Sequence, residues 1–331
     1  MLDIFARIIE KRHPVMPGNP RQWSKLPAVQ KAFLAASRAY DDAPKATPHF
    51  RGRGIVVCGG GGYLPSVWVC VRSIRHFGCQ LPIQLWHIGQ QELDAKITPL
   101  LRGLGVELVD AFRFAGESRV LQNPSLRLAR GNVSSTHGGW HLKALSIAMS
   151  PFSEVLYMDA DNACLANPEH LFSSEPFKRH GSFFFPDKPQ HKVGFYLSEK
   201  ICQTFGVPHD GVSAIDSGQM LVDKSLCLRQ IRLALWWNQF PEYTYNVIWG
   251  DKDTFNLAWR QTNKHLYCPD TPPITGRGFL HHDHTGKLLF SHRCGAKWKL
   301  RDNEVLDKPM EARFHGFVEE IHHMSRHLKV I

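Results

Sequence analysis

Short apolar runs alternate with amphipathic segments along most of the chain, beginning near residue 54. The runs are rich in β-branched or aromatic side chains, which is typical of buried strands, whereas the segments between them have helical periodicity. The predicted strands lie at 55–58, 83–87, 106–109, 155–158, 183–185, 215–222 and 288–292, and the predicted helices at 67–77, 92–104 and 140–149. Strands that alternate with helices form a mainly parallel sheet with helices on both faces. The pattern therefore predicts one large α/β domain.

The two ends of the chain lie outside this pattern. Apolar residues at helical spacing predict a helix at 2–9, which could alternatively lie on a membrane surface, and a second helix at 23–40. We therefore divide the chain into three parts. These are an N-terminal helical extension at 1–50, the α/β domain at 51–300 and a C-terminal helix at 301–331.

Two aspartates end the strand predicted at 155–158. Asp159 and Asp161 are separated by one residue. Because ionised carboxylates are costly to bury unpaired, this strand has to end at water, at a cation or at a basic partner. Ligands of open α/β sheets bind at the carboxyl ends of the strands, and two hard oxygen ligands suit Mg²⁺ or Mn²⁺. The pair predicts a metal site for a phosphate-containing ligand; the alternative is that it only caps a turn.

A run of four glycines, 59–62, follows the strand predicted at 55–58. Bare backbone at such a strand-to-helix turn can approach a ligand closely. The run does not match the G-x-G-x-x-G dinucleotide fingerprint, and it lacks the Lys-Ser/Thr of a P-loop. It predicts either a nucleotide held in another way or a tight turn without a ligand.

Three later segments offer further candidates. Segment 215–222 is a polar turn followed by an apolar strand, a shape suited to lining a pocket. Segment 249–256 is a charged turn that caps a helix, with Asp251 or Asp253 at the N-cap. The strand at 288–292 ends in His292, whose imidazole could join the carboxylates on Mn²⁺.

Charge points to anionic partners. The chain has 331 residues, a formal net charge of +10, 43% hydrophobic and 21% charged residues. This composition is that of a soluble globular protein, and the positive balance favours nucleotide phosphates or a peripheral contact with an anionic membrane surface. No dense Arg/Lys run, zinc-finger or RNA-recognition signature is present, so nucleic acid is not an expected partner.

Eight scattered cysteines without a Cys-x-x-Cys pair indicate reduced thiols and a reducing compartment. The sequence contains no apolar run of about 20 residues and no signal peptide. We therefore expect a cytoplasmic protein.

The ordered series of these segments resembles the GT-A nucleotide-sugar glycosyltransferases, and most closely the fungal-type α-mannosyltransferases of glycosyltransferase family 71. The resemblance covers about 54–298 and rests on GIVVCGGGGY at 54–63, SIRHFGCQLPIQLWH at 73–87, segment 143–161, DSGQ at 216–219 and GDKDTF at 250–255. The tail H-x-x-G-x-K-W at 292–298 is similar to the metal and diphosphate segment of glycogenin-type enzymes, although it lacks their Pro before Trp.

The resemblance implies a Rossmann-like GT-A fold. It also implies a metal-dependent retaining transferase that moves a sugar to a glycan hydroxyl. The favoured donor is GDP-mannose, and a UDP-hexose is the alternative donor. The implied ligands of Mn²⁺ or Mg²⁺ are Asp159, Asp161 and His292. The implied donor-binding residues are Gly59, Gly60, Gly61, Tyr63, Lys143, Asp159, Gln219 and Lys297. The implied catalytic or sugar-lining residues are Lys143, Asp216, Asp251 and Asp253.

Two departures from the family pattern leave questions open. Lys252 stands where glycogenin-type enzymes often have Gln, so no nucleophile is assigned there. We favour attack on the same face of the sugar, and a double displacement through Asp216, Asp251 or Asp253 is the alternative.

Fungal relatives begin with a membrane anchor, so a Golgi location is expected only if an anchor has been removed from this chain. A non-catalytic nucleotide-sugar or carbohydrate-binding protein of the same fold is the other functional alternative.

Overall fold

The computed structural model of the protein describes residues 27–43, 48–123, 139–188, 197–209, 214–245, 247–248, 250–276, 278–294, 296–300 and 308–327. The helix predicted at 2–9 and the first part of the helix predicted at 23–40 lie outside these residues. Within them, two sheets are present. The larger contains β1 (Arg53–Cys58), β2 (Ile83–His87), β3 (Val106–Asp110), β4 (Glu154–Asp159), β6 (Ser182–Pro186) and β7 (Ile215–Asp223). The smaller contains β5 (Asn162–Cys164), β8 (Ile274–Thr275), β9 (Phe279–His282) and β10 (Leu288–His292).

Helices connect and cover these strands. They are α1 (Pro27–Asp42), α2 (Leu64–His76), α3 (Ile97–Gly103), α4 (Arg119–Gln122), α5 (Trp140–Met149), α6 (Glu175–His180), α7 (Glu199–Phe205), α8 (Lys224–Asn238), α9 (Pro241–Thr244), α10 (Lys252–Gln261) and α11 (Lys308–His327). None of these described helices combines the length and the apolar character needed to cross a bilayer.

The larger sheet is mainly parallel, as predicted. Its strand order is β3-β2-β1-β4-β7-β6, and β1 to β4 run parallel to one another. β7 runs antiparallel to both of its neighbours, β4 and β6. Because of this reversal, the start of β7 lies beside the carboxyl end of β4, with Gln219 opposite Met158. The DSGQ segment is thereby placed next to the two aspartates.

Both faces of the larger sheet are buried at β1, β2 and β4, which explains why these strands are continuous apolar runs. In β4, Val155 and Tyr157 pack into one core together with α5, α8 and α10. Leu156 and Met158 pack into the other core together with α2 and α11. Polar side chains can therefore emerge from this strand only at its ends.

The helix predicted at 92–104 begins later, at Ile97. The Oδ1 atom of Asp94 accepts hydrogen bonds from the backbone N–H groups of Lys96 (2.8 Å) and Ile97 (2.9 Å). This local cap competes with a helix that starts further upstream. Gln90–Glu92 forms a short 3-10 turn instead, so Glu92 belongs to the loop that follows β2.

Candidate active site

The small sheet brings the two halves of the predicted metal site together. β10 pairs antiparallel with β5, so that His292 lies opposite Asn162, the residue after Asp161. The backbone N–H of Arg293 also donates to the carbonyl oxygen of Asp161 at 2.9 Å. As a result, His292 Nε2 lies 3.5 Å from Asp161 Oδ1 and 3.9 Å from Asp159 Oδ2. The three predicted metal ligands therefore converge at the carboxyl end of β4.

Asp216 sets the orientation of the His292 ring. Its Oδ2 atom lies 2.6 Å from His292 Nδ1 and 2.8 Å from His281 Nε2, and its Oδ1 atom accepts from the N–H of Gly218 at 2.9 Å. Burial alone would raise the pKa of Asp216, but His292 and His281 hold this pKa well below its usual range. Because Nδ1 of His292 contacts a carboxylate, Nε2 is the nitrogen directed at the two aspartates.

The predicted roles of Asp216 and Gln219 do not fit their placement. Both carboxylate oxygens of Asp216 are engaged as described, and the residue is buried. Gln219 is fully buried, and its Oε1 atom accepts a 2.6 Å hydrogen bond from Asn162 Nδ2. Asp216 therefore supports His292 and Gln219 supports β5. The sequence predicts a polar turn at 216–219, but these residues form the first part of β7. It does not show that two histidines from β9 and β10 contact Asp216 there.

The donor atoms of the site fit a divalent cation. Asp159, Asp161 and His292 each offer one ligand atom within 4.8 Å of the others. Carboxylate oxygens with one imidazole are an acceptable ligand set for Mn²⁺. A second group, Asp216, His281 and His292, has ligand atoms that are equally close together. In this group both imidazoles are already hydrogen-bonded to the Asp216 carboxylate. The donor chemistry therefore favours the first group.

Basic side chains of the protein contact these carboxylates. The Nζ atom of Lys297 contacts Asp161 Oδ2 and lies 5.7 Å from the centre of the Tyr63 ring. Burial raises the pKa of Asp161, but Lys297 and His292 outweigh this effect and lower it. Burial lowers the pKa of His292, whereas Asp216 and Asp161 raise it well above its usual value. The electrostatic field at the end of β4 is thus suited to a positive charge.

Lys143 joins Asp159 to a second acid. Its Nζ atom lies 3.1 Å from Asp159 Oδ2 and 2.9 Å from Asp251 Oδ2, and it donates to the carbonyl oxygen (2.8 Å) and Oγ (2.9 Å) of Ser217. Burial lowers the pKa of Lys143, but the two carboxylates outweigh this effect and raise it above its usual value. The Tyr157 hydroxyl donates to Asp159 Oδ1 at 2.7 Å. Lys143 therefore holds two acids rather than pointing freely at a ligand.

The helix-capping turn contributes differently from what was predicted. Asp251 lies at the N-cap of α10, but its side chain makes no capping hydrogen bond. It pairs with Lys143 instead. Asp253 is buried in the first turn of α10, and Lys252 forms an ion pair with Asp187. The turn therefore supplies acids to an internal network beside the candidate metal site.

A groove runs from these acids across the carboxyl ends of β4, β1 and β2. Its lining includes Cys58, Gly59, Gly60, Tyr63, Ile88, Glu92, Trp140, Lys143, Asp159, Asp161 and Lys297. Gly59 and Gly60 are also required by packing, because added Cβ atoms would lie 2.7 Å from Val67 Cγ2 and 2.6 Å from Glu92 Cβ. Gly61, which was also a candidate, is not among the residues that line the groove. Tight packing and ligand approach thus both favour glycine at this turn.

Several residues of the site could not be found from the sequence. Tyr157, Asn162, Ser217 and His281 have no predicted role, because residues of these types in apolar or polar runs do not by themselves indicate one. Glu92 was placed at the start of a helix. The signal that could have found His281 is its position in a strand neighbouring the one that ends at His292.

The chain is similar in sequence to known mannosyltransferases. A family model described as a mannosyltransferase matches residues 52–204. The α-1,2-mannosyltransferase MNN21 of Candida albicans is 27% identical over 297 residues, which cover 74% of this chain and 44% of that protein. The α-1,2-mannosyltransferase MNN24 of the same organism is 25% identical over 254 residues, covering 63% and 33%. The chain thus spans less than half the length of these relatives.

Among solved structures, the chain is similar to a galactosyltransferase, LgtC, in complex with donor and acceptor sugar analogs. The TM-score is 0.54 at 16% identity, and the match covers 81% of this chain and 95% of that chain. The structural similarity confirms the GT-A fold. The sequence matches confirm the predicted resemblance to fungal-type α-mannosyltransferases.

Proposed function

We propose that this chain is a metal-dependent GT-A glycosyltransferase that moves a hexose from a nucleoside diphosphate to a glycan hydroxyl. The observation that carries the proposal is the convergence of Asp159, Asp161 and His292 beside a groove. The two aspartates, Lys297, Gly59 and Gly60 line this groove. Mannose from GDP-mannose is the favoured donor because the sequence relatives are named α-1,2-mannosyltransferases. A UDP-hexose is the rival donor.

Asp159, Asp161 and His292 would hold Mn²⁺ or Mg²⁺. The bound ion would supply positive charge to the departing diphosphate. Lys297, which contacts Asp161 at the mouth of the groove, would bind a diphosphate oxygen, since its side chain is 36% exposed. Asp216 would keep the His292 ring in the required orientation.

The pairing of the acids supports transfer on the same face of the sugar. In this route the bond from the anomeric carbon to the phosphate oxygen breaks as the bond to the acceptor oxygen forms. The acceptor proton moves to the departing phosphate oxygen. A double displacement needs a carboxylate that is free to attack, but Asp216 is held by two histidines and Asp251 by Lys143. Asp253, the third candidate, is buried in the first turn of α10. Lys143 would position Asp159 and Asp251 around the sugar.

A transfer assay tests this proposal. The protein would be incubated with labelled GDP-mannose, Mn²⁺ and an α-mannoside acceptor, and the transferred label and released GDP would be counted. We expect Asp161→Asn to lower the rate by about 10³-fold or more, because charge stabilisation by a metal is worth several kcal/mol. Chelation with EDTA should stop transfer reversibly.

The matched control is Asp270→Asn, which removes an exposed carboxylate that is not among the lining residues of the groove. It should keep the wild-type rate. An undiminished rate in Asp161→Asn would contradict the site. Donor binding without turnover on any acceptor would identify a binding protein of the same fold.

A further inference from the structure

Glu92 faces the groove from the side opposite the metal ligands. It lies on the turn after β2 and is among the residues that line the groove. Its Oε2 atom accepts a 2.6 Å hydrogen bond from the N–H of Ile88, and its own N–H donates to the carbonyl oxygen of Gly89 at 3.2 Å. Gln91 Nε2 donates to the carbonyl oxygen of Ile88 at 2.6 Å. The carboxylate is therefore carried by a turn with several internal hydrogen bonds.

The glycine turn makes room for this carboxylate. A Cβ atom on Gly60 would lie 2.6 Å from Glu92 Cβ and 2.9 Å from Glu92 Oε2. The Oε1 atom makes no hydrogen bond to any described residue, and Glu92 is half-buried. One carboxylate oxygen is thus anchored by the backbone, and the other stays available inside the groove.

The position of Glu92 suits the base of a nucleotide. β2 and β4 are separated by one strand, β1, so their carboxyl ends lie about 10 Å apart. A nucleobase and its terminal phosphate are separated by a similar span. With the diphosphate at Asp161 and Lys297, the base would reach the turn that carries Glu92. Ile88 and Trp140 line the same groove and offer apolar surface for a base to pack against.

We propose that Glu92 selects a guanine base, an inference that rests on the nucleotide-sugar function proposed above. A carboxylate only accepts hydrogen bonds. Oε1 of Glu92 is available, and Oε2 has a second lone pair besides the one that accepts from Ile88, so the two oxygens can accept a bidentate pair. Guanine presents two adjacent donors, N1–H and the 2-amino group. Uracil presents a single N3–H between two carbonyl oxygens. A carboxylate repels these two oxygens. The turn after β2 therefore determines which nucleoside diphosphate sugar the groove accepts.

The test compares three nucleotides on the full chain by titration calorimetry with Mn²⁺ present. GDP and inosine diphosphate differ only in the 2-amino group, and UDP has the wrong donor pattern. We expect the wild-type protein to bind GDP about tenfold or more tightly than inosine diphosphate, and UDP more weakly still. This comparison needs no variant.

Glu92→Gln then tests the residue. The amide oxygen can keep the bond from Ile88, while the amide N–H group opposes the donors of guanine. We expect GDP affinity to fall about tenfold or more and the preference for GDP over inosine diphosphate to disappear. Glu199→Gln, in an exposed residue at the start of α7, is the matched control and should keep both values.

Three results would overturn the inference. If Glu92→Gln weakened GDP, inosine diphosphate and UDP equally, Glu92 would bind the ribose rather than the base. If the wild-type protein bound GDP and UDP equally, no base selection would exist, although the transferase function would stand. If no nucleotide bound at all, the proposed function would fail, and the role of Glu92 would fail with it.

Discussion

Two lysines are almost fully buried at opposite ends of the strands of the larger sheet, and their surroundings differ. Lys143, 4% exposed, lies at the carboxyl edge of β4 between the carboxylates of Asp159 and Asp251. Lys224, 1% exposed, follows β7 at the opposite edge. Its Nζ atom contacts the carbonyl oxygen (2.5 Å) and Oγ (3.2 Å) of Ser150 and lies 3.7 Å from the centre of the Phe50 ring. Within the described part of the chain, no carboxylate forms an ion pair with it.

The pKa values of the two lysines follow these surroundings. Two carboxylates outweigh the effect of burial at Lys143 and raise its pKa. Burial lowers the pKa of Lys224 to about 7. A charge on Lys143 is therefore matched and permanent, whereas a charge on Lys224 is costly. The difference indicates that opposite charges are concentrated where the ligand is expected.

The largest effect is expected for Lys143→Met. This change leaves the buried Asp251 and the half-buried Asp159 without their common partner, and removing one member of a buried ion pair costs about 3–5 kcal/mol. Urea unfolding in EDTA measures the loss of free energy of unfolding. A loss below about 1 kcal/mol would mean that the two acids do not depend on this lysine.

Lys224→Met should respond to pH in a way that Lys143→Met does not. The pKa of Lys224 is lower in the folded than in the unfolded protein, so the unfolded chain binds more protons between about pH 7 and the usual lysine value. Wild-type stability should rise with pH across this window, and the variant should lose that rise. Relative to wild type, the free energy of unfolding of the variant should be about 3 kcal/mol higher at pH 7 than at pH 10, because each unit by which the pKa is lowered is worth about 1.4 kcal/mol.

The matched control for Lys224→Met is Lys178→Met, in an exposed lysine of α6. It should show the same pH dependence as the wild type. If Lys224→Met also kept the wild-type slope, Lys224 would be charged in the folded state, stabilised by Phe50 and Ser150 more strongly than burial disfavours it.

Asp216→Asn should weaken the metal site without removing a ligand. His292 would lose the carboxylate that orients its ring, and loss of such a partner typically lowers metal affinity about 10–100-fold. Titration calorimetry with Mn²⁺ and GDP measures this change. Asp223→Asn, at the N-cap of α8 on the opposite edge of the sheet, should leave Mn²⁺ affinity unchanged. Equal Mn²⁺ affinities in Asp216→Asn and wild type would show that Asp216 does not support the metal site.

The sequence predicts which residues end the strands better than it predicts the contacts between these residues and other elements. Apolar runs locate β1, β2 and β4, because their residues are buried on both faces. Asp159 and Asp161 stand out because they end such a run. The partner of His292 is harder to find. β5 is only Asn162–Cys164, too short for a periodic pattern, yet its pairing with β10 places His292 beside Asp161.

Local patterns also miss side chains that act on other elements. Asp251 has the sequence context of a helix cap but pairs with Lys143, more than 100 residues away in the chain. Glu92 falls inside a helical pattern, but Asp94 delays the helix and frees the turn. Such long-range pairings depend on the order of strands in the sheet, which no local window contains.

The most direct test of the metal site is anomalous X-ray diffraction from crystals grown with Mn²⁺ and GDP. Our interpretation predicts one strong manganese peak bounded by carboxylate oxygens of Asp159 and Asp161 and by Nε2 of His292, next to the diphosphate. GDP bound in the groove with no manganese peak between these three residues, or with the peak on Asp216 and His281 instead, would contradict it.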